Sequence, residues 1–294
     1  MFSSLVFWSS IAGSAFLLMG LLLIRRELSC AIGLDKVIVL GYVFVAAPLA
    51  AFGTEHLLAA RSIMELVPTW IPAPMFWTYF VGIALFAAAL SFIVRKHLRW
   101  SALLLAIMFF IFVLSMDLPG VIAHAKERLS WTLMLRETAF AGGALALAGA
   151  VRSSKALIAI GRVCVAVPLI FFSIEHFVFA KFAPGVPLEK LSPNWVPLPE
   201  VWAYAVGAVL LSAGTGMLFN RRTRIAAASV GIVMTFLTVC FYFPIFVKAL
   251  GTTQALEELN YVGDTLFFGG TVLLLGIAAT PISPASLREP DRVL

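Results

Sequence analysis

Apolar residues fall into nine long runs, at about 5–24, 37–60, 76–94, 100–118, 131–150, 157–180, 201–219, 225–247 and 260–279. Each run is near the ~20 residues that a helix needs to cross a bilayer. Backbone groups in lipid must bond within their own segment, so the runs predict helices. No run alternates apolar with polar as a barrel strand would. The first run lacks a basic leader and a small-residue cleavage signal before "LLLIRREL", so it predicts a retained helix at 1–36. The expected class is an all-α polytopic membrane protein: two parallel four-helix bundles and an N-terminal transmembrane helix.

Composition agrees with the runs. The chain is 62% hydrophobic and 12% charged, with mean hydropathy +1.02. Soluble domains run nearer half apolar and a quarter charged, so the partner here is the lipid bilayer. The net charge of +6 does not point to nucleic acid. It follows from a bias in where Lys and Arg stand. Fourteen of the 21 basic residues lie on one set of helix ends, including Arg25, Arg26, Arg95, Lys96, Arg221 and Arg222, and seven lie on the other. The positive-inside rule then puts the C-terminus and the tail 280–294 in the cytoplasm, and the N-terminus outside.

The chain repeats itself. "VIVLGYVFVAAPLAAFGTEHLL" matches "LIAIGRVCVAVPLIFFSIEHFV", with Gly41, Pro48, Glu55 and His56 over Gly161, Pro168, Glu175 and His176. "VPTWIPAPMFWTYFVG" matches "SPNWVPLPEVWAYAVG", and "RETAFAGGALALAG" resembles "GDTLFFGGTVLLLG". The units are 37–150 and 157–279. Four helices in each is an even number, so both copies insert the same way up, unlike inverted repeats.

These motifs, in this order, resemble the DoxX/DoxD-like family of four-helix bacterial membrane proteins, here duplicated in tandem. The order is a Pro-containing helix ending in Glu-His, then "P-x-W-V-P-x-P", "Y-x-x-G" and the basic turn "NRRTRIAA". The resemblance implies a bacterial inner-membrane location. It also implies a link to quinone-dependent redox chemistry of the thiosulfate:quinone oxidoreductase kind, with a quinone as ligand and a redox partner protein.

Charges at membrane depth are costly and by default mark function. Glu55 with His56, and Glu175 with His176, lie about one turn inside the same ends of their helices. Neighbours on a helix diverge by about 100°, so neither pair converges on one atom, though each can line an interior wedge. Headgroup-level snorkelling is the plain rival. Glu137 and Asp264 align in the fourth helix of each unit, beside Gly142-Gly143 and Gly269-Gly270, where small residues let helices approach. A local pair with Arg136 is the plain alternative for Glu137. The aromatics Trp70, Trp77, Tyr79 and their copies Trp195, Trp202, Tyr204 suit an interfacial belt. Set among stiff prolines, they also predict a lid over each Glu-His pair and a ligand-binding role. Four-helix packing predicts Glu137 near the first pair and Asp264 near the second.

Other chemistry finds little support. Cys30, Cys164 and Cys240 form no C-x-x-C. His56, His97, His124 and His176 are too dispersed for paired haem ligation, and no metal site is expected. There is no phosphate-cradling or nucleophile motif. Three readings stay open: a redox-associated protein binding a quinone-like or other lipid-soluble molecule, a small-molecule carrier, and a structural or assembly protein without a ligand.

Overall fold

The computed structural model describes residues 2–186 and 190–279. The tail 280–294, with Arg288 and Arg292, lies outside them. Nine long helical stretches make up the described chain: α1 (Phe2–Cys30), α2 (Gly41–Leu58), α3 (Pro74–Val94), α4 (Leu98–Phe112), α5 (Arg128–Val151), α6 (Lys155–Val178), α7 (Pro199–Leu218), α8 (Thr223–Leu237) and α9 (Ala255–Ala278). Two of them continue beyond their α-helical ends. After α4, a π-turn at Val113–Asp117 leads into Leu118–Ala123; after α8, a π-turn at Thr238–Tyr242 leads into Phe243–Ala249.

Eight of the nine, with these extensions, are long and apolar enough to cross a membrane. The exception is α5. Arg128, Arg136 and Glu137 make its first half too polar for that test. It is the chain's most sheltered helix from Ala139 to Ala150, where every residue is buried. Walled by α4, α6 and α9, it needs less lipid-compatible surface than its neighbours. The chain is an all-helical integral membrane protein.

Local geometry recurs along the chain. Prolines start α3 and α7, each after a left-handed residue, Ala73 or Leu198. Trp77 and Trp202 donate to Pro72 and Pro197 carbonyls at 3.0 and 3.1 Å. Arg95 and His97 before α4, like Asn220 and Arg222 before α8, take positive φ. Pro48 and Pro168 sit inside α2 and α6, each removing one helical hydrogen bond.

The packing order differs from that of two separate bundles. The fourth helix of each sequence unit docks on the first helix of the other. Glycines set these seams: a Cβ on Gly161 of α6 would lie 2.4 Å from the Gly142 oxygen of α5. A Cβ on Gly270 of α9 would lie 2.7 Å from the Phe44 carbonyl carbon of α2. Between the fourth helices, Gly143 meets Thr271 and Arg136 meets Asp264. The same offset in both pairs makes α5 and α9 parallel. One continuous core then runs through α2–α9, and α1 lies against α2, with Gly20 over Val43.

Candidate functional site

Buried and half-buried charges gather where the first halves of α5 and α9 run side by side. Arg136 Nη1 donates to Asp264 Oδ2 at 2.6 Å. One turn earlier on the same face of α9, Asn260 reaches α2. With its amide turned to donate, its nitrogen lies 2.8 and 3.2 Å from the two Glu55 carboxylate oxygens. Next to Arg136, Glu137 hydrogen-bonds Asp117 in the π-turn after α4. Two carboxyl groups hydrogen-bond only when one of them carries a proton, so the pair is built to share one. Asp117 itself lies in the π-turn, an insertion frequent at functional sites.

An open cleft of about 410 Å³ runs between α5 and α9. Leu129 and Leu133 supply its apolar wall; Arg136, Asn260, Tyr261 and Asp264 supply its polar one. Glu55 stands directly behind Asn260. At the cleft's upper rim, Tyr261 donates to Glu257 at 3.2 Å, and Lys190 of the loop before α7 pairs with buried Glu258. Partial burial holds the Lys190 ammonium below its usual value, and Glu257 opposes that shift. Among the described residues, no group of three His, Cys, Asp or Glu side chains could hold a metal ion, and all three cysteines are free.

The second Glu-His pair has other surroundings. Glu175 is buried, 3.8 Å from Arg128 at the start of α5. Arg128 stacks over Phe179 and Phe182 at 4.2 and 4.3 Å. His176 is fully buried and both ring nitrogens face backbone. Nδ1 lies 2.6 Å from the Phe172 oxygen, and Nε2 accepts from Gly185 N–H at 2.9 Å. Accepting at Nε2 fixes the proton on Nδ1. The loop carrying Gly185 also takes a bond from buried Tyr242 to Pro184 at 3.0 Å. At Gly185 φ is +142°, and a Cβ would lie 2.8 Å from the Tyr242 hydroxyl, so only glycine fits. His56 makes the matching bond to the Phe52 oxygen at 2.8 Å but is only half-buried. The loop after it is five residues shorter between the aligned His and Trp positions.

The six belt aromatics stand apart from the cleft. Trp70 is 70% exposed and Trp202, the most covered, 36%. Trp77 packs on Phe76 and Phe80; Trp195 and Trp202 pack on Phe241. What enters the bundle end is the Pro184–Val186 stretch, and it does so over His176.

Two sequence expectations need correction. Glu137 was expected near Glu55, but its partner is Asp117. Asp264 was expected near Glu175, but Asn260 and Asp264 lie on the Glu55 side, because each fourth helix docks on the first helix of the other sequence unit. Asn260, Asp117 and Tyr242 carried no motif. The available signal was an amide four residues before Asp264, and so on its helix face, and a lone acid inside the apolar run "FVLSMDLPG".

The DoxX family model matches residues 157–243. No curated protein and no solved structure matches the chain. Residues 157–243, spanning most of α6, all of α7 and α8 with its π-turn, are thus similar to the DoxX family, within a polytopic all-α membrane protein.

Proposed function

We propose that the cleft between α5 and α9 binds a quinone-like, lipid-soluble molecule and exchanges protons with it, while a redox partner protein supplies the electrons. The observation that carries this reading is the polar wall. Arg136, held by one N–H on Asp264, has further guanidinium N–H groups for a carbonyl oxygen, and Leu129 and Leu133 offer apolar cover. Pockets for small ligands have this makeup, mostly apolar with a few convergent polar groups, and about this size. Reducing a quinone consumes protons, and the Asp117–Glu137 carboxyl pair next to Arg136 is placed to carry one.

The roles divide as follows. Arg136 orients the carbonyl and Asp264 fixes that donor; Asn260 ties Glu55 to the back of the cleft. Glu137 with Asp117 is the proton source. Glu175 and His176, at the same end but in the second unit, anchor a plugging loop. His56 and the six exposed aromatics set the molecule's depth at the membrane interface. Two like-oriented units, 37–150 and 157–279, account for the recurrent caps, π-turns and tryptophan bonds, and the basic bias supports an outside N-terminus in a bacterial inner membrane.

The test is an inventory of small molecules retained in mild detergent, by mass spectrometry, for the natural protein and for Leu133→Trp. The substitution narrows the cleft without touching a charge. A lipid-soluble carbonyl compound should accompany the natural protein and be lost from the variant. A natural protein that carries no such molecule, or equal retention by both, would overturn the reading in favour of a structural role.

A further inference from the structure

A second cavity, about 460 Å³, opens between α7 and α8 at the opposite end of the helices. Ala208, Ala213, Gly216 and Ile225 line it, and Arg221 and Arg222 stand at its mouth. Both arginines are exposed. Four other basic residues at this end are already engaged. Arg95 pairs with Glu27, Arg224 pairs with Asp35, and Arg99 and Arg152 lie over Trp100. Among the described residues, no carboxylate pairs with Arg221 or Arg222. Arg222, at φ +53°, caps the start of α8, so the helix's positive end adds to the same field.

The first sequence unit gives an internal contrast. At the aligned positions, Ser91, Trp100 and Ser101 stand where the second unit has Gly216, Ile225 and Ala226. Ser91 donates to the Lys96 carbonyl, and its hydroxyl lies 2.7 Å from that of Ser101, from which it can accept, tying α3 to α4. The second unit lacks that tie and is smaller at all three positions. The groove faces the bilayer between two spanning helices, with an apolar floor about two turns long and a cationic end. That shape complements a lipid and no soluble anion: acyl chain along the floor, headgroup at the arginines.

We propose that this groove holds one anionic phospholipid of the phosphatidylglycerol type, with its phosphate against Arg221 and Arg222. Basic pockets between membrane helices are suited to such headgroups, and paired guanidiniums are suited to phosphate oxygens.

Native mass spectrometry of the whole protein in mild detergent tests this. Phosphatidylglycerol and phosphatidylcholine with identical chains are titrated separately, with and without inorganic phosphate. Each arginine near a headgroup should contribute roughly fivefold in affinity. Arg221→Gln with Arg222→Gln should therefore weaken the first phosphatidylglycerol by roughly twenty-five-fold and leave phosphatidylcholine unchanged. Ile225→Trp, which keeps both charges, should weaken both lipids. Unchanged phosphatidylglycerol binding in the double variant would overturn the proposal. So would equal preference for the two lipids in the natural protein, or displacement by inorganic phosphate, which would make the site one for a free anion. Unaltered melting of the double variant in detergent separates lost recognition from lost fold.

Discussion

Replacing Gly161 by Ala tests whether the two sequence units are interlocked. A Cβ there would lie 2.4 Å from the Gly142 oxygen and 2.7 Å from the Ala146 nitrogen. Both are backbone atoms of α5, so no side-chain rotation can relieve the clash. Ordinary contact begins near 3.4 Å, so α5 and α6 must part by about 1 Å, a gap that forfeits up to about half of each contact's attraction along the seam. Overpacking costs about 1–3 kcal/mol, and backbone targets put this case near about 3. Alanine recovers about 1 kcal/mol of helix propensity over glycine. The net expectation is a loss of about 2 kcal/mol. Gly120 supplies the control: it is helical, with nothing within 4 Å of its would-be Cβ. Gly120→Ala should gain about 0.5–1 kcal/mol. Reversible unfolding in mixed micelles, titrated with a denaturing detergent, measures both. Gly161→Ala as stable as the natural protein would refute the close α5–α6 seam.

Arg136→Gln strands a half-buried Asp264, and breaking such a pair from one side costs about 3–5 kcal/mol; adding Asp264→Asn should recover part of that in the same titration. Tyr242→Phe leaves the Pro184 carbonyl unpaired and should cost about 1–3 kcal/mol, with faster proteolysis of the 179–198 loop as a second readout. His176→Ala removes both backbone contacts and should destabilise the protein by more than His56→Ala, as parallel thermal melts would show; equal losses would contradict the asymmetry between the two units. Single cysteines placed at 96 and 221 should label from the same side of sealed vesicles, and opposite-side labelling would overturn the like-oriented units.

Much of the architecture was readable because lipid imposes a strong constraint. A helix facing hydrocarbon must be apolar over its length, so all nine helices announced themselves as runs, α5 as 131–150. Helix α5 is the least apolar of them, since its polar first half is covered by protein. Partner choice was not readable. The sequence aligns Glu137 with Asp264, yet the helical period says which residues share a face and nothing about which helix lies opposite. The exchange depends on Gly142, Gly161 and Gly270 meeting backbone, and a glycine pair looks the same whichever helix it receives. The tryptophans show a related ambiguity. Recurrence marks them as important, but recurrence preserves a helix start as faithfully as a ligand contact. Trp77 and Trp202 each bond the carbonyl of the proline that precedes their helix.

The contact between Glu55 and Asn260 joins the second helix to the last. Some 200 residues separate them, about 10–40 s of synthesis at common ribosomal rates. Through that interval Glu55 is already inside an apolar helix without the amide that will receive it. Helix α6 faces no such delay, because α5 immediately precedes it. Membrane insertion of this chain is thus staggered: one half can settle as it emerges, while the other keeps a carboxyl group waiting for the final span. Shielding from the insertion machinery, or water drawn in from the bilayer surface, has to cover that interval.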